Sequence, residues 1–96
     1  MNFEWDERKD IANIGKHGVG FATACRIFDG LVLTIVDARQ DYGESREISI
    51  GKVEDVAFLT VVHTDRSGRT RIISARPANR AERRRYERAI QQRADA

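Results

Sequence analysis

Apolar and polar positions along this chain change their spacing from segment to segment. Phe21, Ala24, Cys25 and Phe28 recur at i, i+3, i+4 and i+7, which is one apolar face of a helix. Asp29-Gly30 stops that helix. Upstream, Asp6 can N-cap a helix running to about Lys16, with Ile11 and Ile14 on its buried side. Gly18 suits the left-handed residue that ends it. The short aromatic stretch NFEWD before it reads as an edge strand.

Four β segments follow. LVLTIVD (31–37) is almost continuously apolar, which predicts a central strand. ESREISIG (44–51) alternates, with Arg46, Ile48 and Ile50 on one face and Glu47 and Ser49 on the other. VAFLTVVHT (56–64) is apolar on both faces, and TRIISAR (70–76) closes the set. Strict alternation in that last segment groups Ser74 and Arg76 with Ile72, and Ile73 and Ala75 with Arg71. The connections at 38–43, 52–55 and 65–69 are of hairpin length, so the four strands form an antiparallel meander. After Pro77, Asn79 and Glu82 have the spacing of a capping box. They open a helix with Tyr86, Ala89 and Ile90 inward and Arg80, Arg83, Arg84 and Arg88 outward. The fold class is α+β: two N-terminal helices and one C-terminal helix around a small antiparallel sheet of about four strands, with an N-terminal edge strand, in one domain over 1–96.

Charge changes this picture. The net charge is only +2, but residues 1–60 carry 7 basic and 11 acidic side chains, whereas 61–96 carry 10 basic and 4 acidic. All ten of those basic residues are arginine. Solubility needs charge without preferring arginine, whereas a planar guanidinium matches phosphate geometry. The C-terminal third therefore points to a polyanion, with a solvated charged helix as the plainer alternative. No apolar run approaches the ~20 residues of a membrane span. The acidic, polar N-terminus does not read as a signal peptide, and one cysteine allows no internal disulfide. The expected setting is the cytoplasm.

Candidate chemistry concentrates on few side chains. His17, His63 and Cys25 have no zinc spacing, and there is no Walker loop and no dinucleotide fingerprint. No metal or cofactor is expected. Arg71 and Arg76 on the last strand read as a phosphate clamp or as ion-pair partners of Glu44, Glu47 or Glu82. Arg46 and Glu44 can supply charge stabilisation and a general base, or a cross-strand ion pair. His63 is a candidate acid or base, or a packed histidine. Tyr86 reads as core, or as a group that reaches a phosphate or stacks on a base.

The order FEWD, Lys9, Asn13, KHGV, Phe21, Ala24, Phe28, then GE.R with Ile50-Gly51, then RIISAR, Ala78, Glu82-Arg83 and Tyr86 resembles the BrnT family of bacterial toxins over roughly residues 3–88. The resemblance implies a RelE-like fold, a small antiparallel sheet with helices packed on one side. It implies a type II toxin–antitoxin ribonuclease that halts translation. It also implies neutralisation by a BrnA-type antitoxin in a hetero-oligomer that meets operator DNA only through the antitoxin. Read with the residues, it gives metal-independent RNA cleavage with Arg46, Arg71 and Arg76 stabilising charge and Glu44 or His63 as base or acid. Arg80, Arg83, Arg84 and Tyr86 would bind flanking RNA. A non-catalytic nucleic-acid-binding module and an arginine-faced protein-interaction domain remain the other readings.

Overall fold

The computed structural model describes residues 1–39 and 41–95; Gln40, inside the predicted 38–43 connection, lies outside them. Strand β1 (Phe3–Glu4) leads into α1 (Glu7–His17), α2 (Phe21–Ala24) and a 3-10 turn over Cys25–Asp29. Strands β2 (Val32–Val36), β3 (Glu47–Val53), β4 (Ala57–Arg66) and β5 (Arg69–Pro77) follow, and α3 (Arg80–Asp95) ends the fold. The sheet order is β1-β5-β4-β3-β2. The predicted meander is present, and β1 adds a parallel edge beside β5. None of the described helices is long and apolar enough to cross a membrane.

Local signals act where the sequence puts them. The Asp6 carboxylate accepts from the Arg8 and Lys9 amides, and Gly18 closes α1 at φ 73°, a conformation that costs glycine nothing. Asn79 and Glu82 form the reciprocal capping box, at 2.8 and 2.9 Å. Tyr86 is the buried residue of α3, with Ala89 and Ile90 half-buried beside it.

Four expectations are overturned. Ile11 and Ile14 are 70% and 48% exposed. The inward side of α1 is polar instead: the Asn13 amide donates to Val19 O (2.8 Å) and Ala75 O (2.7 Å) and accepts from the Ala75 amide (3.2 Å). Asp10 likewise accepts from the Phe21 amide at 2.8 Å. The helix docks by satisfying backbone groups of β5 and the next turn, which hydropathy spacing does not register. Second, the apolar 21–28 face is not one α-helix. The chain tightens to 3-10 winding at Cys25, so the repeat becomes three and the fully buried set is Phe21, Ala24 and Ile27. Third, β2 is an edge strand, not a central one, with Val36 exposed. The carbonyls of Leu31, just before it, and of Val32, its first residue, accept from Tyr86 Oη (3.0 Å) and Arg93 (3.0 Å) of α3.

The fourth correction sets the site. Val62 pairs with Ser74, but His63 pairs with Ile72, so Ile73 is an extra residue, a β-bulge. Alternation changes parity there. Ile72 and Ala75, three apart, both enter the core with Val61, Leu59, Phe21 and Ile27. Arg71, Ser74 and Arg76 therefore share the opposite face instead of being split between two. The helices also divide between the faces. α1, α2 and the 3-10 turn cover the Leu59–Val61 side, while α3 crosses one end of the other side, where Tyr86 packs edge-on against Phe58 (5.7 Å).

Candidate active site

Register places the polar side chains of the face opposite α1 in rows. Thr64 pairs with Arg71, and Arg71 with Glu4. Arg46 precedes Glu47, the partner of His63, so it stands level with Thr64. Asp37 completes this row, its amide donating to Arg46 O at 2.8 Å. The next row is Ile35, Ile48, Val62 and Ser74; the one after it is Leu33, Ile50, Thr60 and Arg76. The result is a groove with a mainly apolar floor between two banks of arginine. Arg46 and Arg71 stand on one side and Arg76 on the other, about 13 Å along the strands, at ~3.3 Å per residue.

Each groove arginine is held by a carboxylate. Arg76 makes a bidentate pair with Glu82 at 2.6 and 2.7 Å. That contact raises the Arg76 pKa and lowers the Glu82 pKa. Glu82 thus serves two purposes, capping α3 and fixing the strand arginine. The Thr60 hydroxyl is buried beneath it, close enough to help lower Glu82 but without a hydrogen bond of good geometry. Arg71 pairs with Glu4 at 2.7 Å, tying β1 to β5. Of the expected partners Glu44, Glu47 and Glu82, Arg76 takes Glu82, whereas Arg71 takes Glu4 instead. Glu44 is held more loosely, 3.4 Å from both Arg46 and Arg66. The Arg46 guanidinium lies over the Tyr42 ring, 3.9 Å from its centre, and its buried Nε has no hydrogen-bond partner among the described residues.

Sequence reasoning missed Asp37, Arg39, Tyr42 and Arg66. Asp37 accepts from Arg39 Nε and Nη2, both at 2.8 Å, from the Arg39 amide at 3.2 Å and from Tyr42 Oη at 3.2 Å. The Arg39 contact chiefly holds its carboxyl down at about 2. Its side chain has no exposed surface, although it stands near the protein surface rather than deep in the core. The signal was available as an Asp-x-Arg spacing at the end of a strand, but that pattern is too common to single out.

Two expected site residues stand elsewhere. His63 is on the helix-covered face, with 6% exposure. Its Nε2 meets Ser49 Oγ at 2.7 Å and its ring packs edge-on against Phe28 at 5.2 Å. Burial lowers its pKa, so the imidazole is neutral near pH 7. The sheet separates it from the arginine groove. Tyr86 is the second: it is buried, its hydroxyl donates to Leu31 O, and burial raises its pKa. Its ring packs in the core against Phe58. Arg80, Arg83 and Arg84 are exposed on α3 as expected, with Arg83 lying over Phe58 at 4.1 Å and 3.7 Å from Glu87. Burial pushes the Cys25 thiol up to about 11, which leaves it un-ionised near neutrality. Among the described residues, no group of three or more His, Cys, Asp or Glu is placed to hold a metal ion.

This architecture has a solved counterpart. The crystal structure of the Brucella abortus ribonuclease toxin BrnT superposes with a TM-score of 0.63 at 26% identity, covering 83% of this chain and 99% of that one. Among curated proteins, no sequence match to this chain was found. A sequence-family profile for the ribonuclease toxin BrnT of type II toxin–antitoxin systems matches residues 5–82, which includes both banks of the groove. The chain belongs to the BrnT family of type II toxin–antitoxin ribonuclease toxins.

Proposed function

We propose that this toxin is a metal-independent endoribonuclease whose reaction takes place in the arginine groove and whose partner is a BrnA-type antitoxin. The observation that carries this reading is the cluster of Glu44, Arg46 and Arg71 on the face opposite α1, each partly exposed, around the buried Thr64. Glu44, loosely held between two guanidiniums, accepts the proton of a ribose 2′-hydroxyl. The 2′-oxygen attacks the adjacent phosphorus, the bond to the 5′-oxygen breaks, and that oxygen leaves with a proton from water. The products are a 2′,3′-cyclic phosphate and a 5′-hydroxyl. The phosphorane carries extra negative charge, and Arg46 is already oriented by Tyr42, so little reorganisation is needed at the moment of reaction. Arg71 stands two strands away, about 10 Å, and Arg76 faces them from the far bank. Arg80, Arg83 and Arg84 extend the positive surface to flanking phosphates.

His63 takes no part in this scheme, because it faces the other side of the sheet. The antitoxin completes a hetero-oligomer in the cytoplasm and supplies its contact with operator DNA. An acidic antitoxin segment entering the groove would compete directly with RNA.

The test is end-labelled RNA incubated with purified toxin in EDTA. Wild type is expected to leave 2′,3′-cyclic phosphate ends, with Arg46→Ala slower by about 10²-fold, the usual loss of one preorganised transition-state donor. Cleavage at the wild-type rate by folded Arg46→Ala would move the reaction out of this groove. Cleavage abolished by EDTA and restored by a divalent ion would end the metal-independent reading.

A further inference from the structure

The β2–β3 connection carries the least expected feature of the groove. One carboxylate, Asp37, organises three other side chains. It takes Arg39 side-on through Nε and Nη2 and receives the Tyr42 hydroxyl. Tyr42 in turn supports the Arg46 guanidinium. The exposures are opposite: the Arg39 side chain is 63% exposed and that of Asp37 0%. A side-on pair engages two of the five guanidinium N–H groups, which leaves three to point elsewhere. An arginine fixed from beneath and presented to water is costly in side-chain entropy if nothing binds it. When a phosphate does bind, that entropy has already been lost, and the contact is correspondingly tighter.

Its position fits such a ligand. Asp37 and Arg46 belong to one row of the groove, and Arg76 stands two rows along. Across the groove, the positive charge of Arg39 acts weakly against that of Arg76. Each of the two guanidiniums has a carboxylate of its own, Asp37 and Glu82, and an anion bound between them would offset the repulsion that remains.

We propose that Arg39 is a substrate ligand that holds the phosphodiester next to the reacting one, with Asp37 and Tyr42 as its positioning residues. The inference rests on the ribonuclease reading above and adds a subsite to it. The plain alternative is that Asp37 and Arg39 only staple the connection.

The two are separated by binding a non-cleavable 2′-O-methyl oligoribonucleotide to the full chain over a salt series, with cleavage of ordinary RNA followed in parallel. Arg39→Ala is expected to weaken binding about 5- to 10-fold, since a charge-assisted contact is lost, and to lower the log–log salt slope by about 0.7, one phosphate on a single strand. Arg39→Lys should restore the slope but only part of the affinity, because a lysine cannot keep the side-on pair. Asp37→Asn should raise KM more than it lowers kcat while the slope stays near that of wild type, a split that a merely structural staple would not produce. A wild type that cleaves, with Arg39→Ala showing an unchanged slope, overturns the subsite and leaves the ribonuclease reading standing. A folded wild type that neither binds nor cleaves overturns both.

Discussion

The two faces of the sheet handle polar groups in opposite ways. On the face under α1, polar side chains are buried and satisfied by fixed partners: Asn13 by Val19 and Ala75, His63 by Ser49, and Ser49 by Thr34 at 2.7 Å. On the other face, most charges sit at the rim and are paired with carboxylates that water can reach, such as Glu44 and Glu82, with Asp37 as the covered exception. Buried polar contacts of the first kind are costly to break and specify how the elements dock. Exposed ion pairs of the second kind contribute little stability. They can exchange a carboxylate for a phosphate without unfolding anything. Stability and chemistry are thereby divided between the faces.

The sharpest way to break this comparison is Asn13→Ala. It leaves the Ala75 amide and two carbonyls buried without partners, and we expect a loss of about 3 kcal/mol in urea denaturation. A loss under about 0.5 kcal/mol would mean that water replaces the amide and that the face is not as closed as it looks. Gly51→Ala comes next. A Cβ there would lie 2.9 Å from Ile27 Cβ and 3.1 Å from Val32 Cγ1, and overpacking of this kind costs about 1–3 kcal/mol. Thermal melting should show it, with the cleavage rate of the remaining folded protein unchanged.

Acid should distinguish the faces by residue. The folded pKa of His63 is lowered by burial, so below ~6.5 the unfolded chain takes up a proton that the folded one resists. Stability should fall as pH drops through that range, and His63→Gln should flatten the dependence there. Asp37 is a depressed carboxylate, from 3.8 to about 2. Its contribution is therefore present above ~4 and lost as pH falls from there toward 2. Asp37→Asn should reduce that lower step, to which the depressed Glu82 also contributes, and leave the His63 step in place. The smallest stability effect belongs to Arg84→Ala on the exposed side of α3. It should change stability by less than about 0.5 kcal/mol while reducing the salt dependence of RNA binding.

Local chemistry was legible where a motif completes itself within a few residues. Asp6 and Gly18 bound α1, and Asn79 and Glu82 open α3. Of the expected groove residues, Glu44, Arg46, Arg71 and Arg76 share one face in the fold. His63 and Tyr86 do not, because residue type says nothing about which side of a sheet a residue occupies. Asp37 and Arg39 escaped notice for a related reason: their importance lies in what crosses the groove from them, not in their own spacing.

By itself, the sequence determined the α+β class, the meander, the helix ends and the resemblance carried by motifs in fixed order, since each depends on neighbours a few residues apart or on pattern alone. Tertiary structure decided that apolar β2 is an edge and that α1 docks through Asn13. It also decided that the bulge at Ile73 brings Arg71 and Arg76 onto one face. A one-residue slip in pairing is set by the partner strand. It exchanges the two faces of everything beyond it, and no periodicity within β5 contains that information.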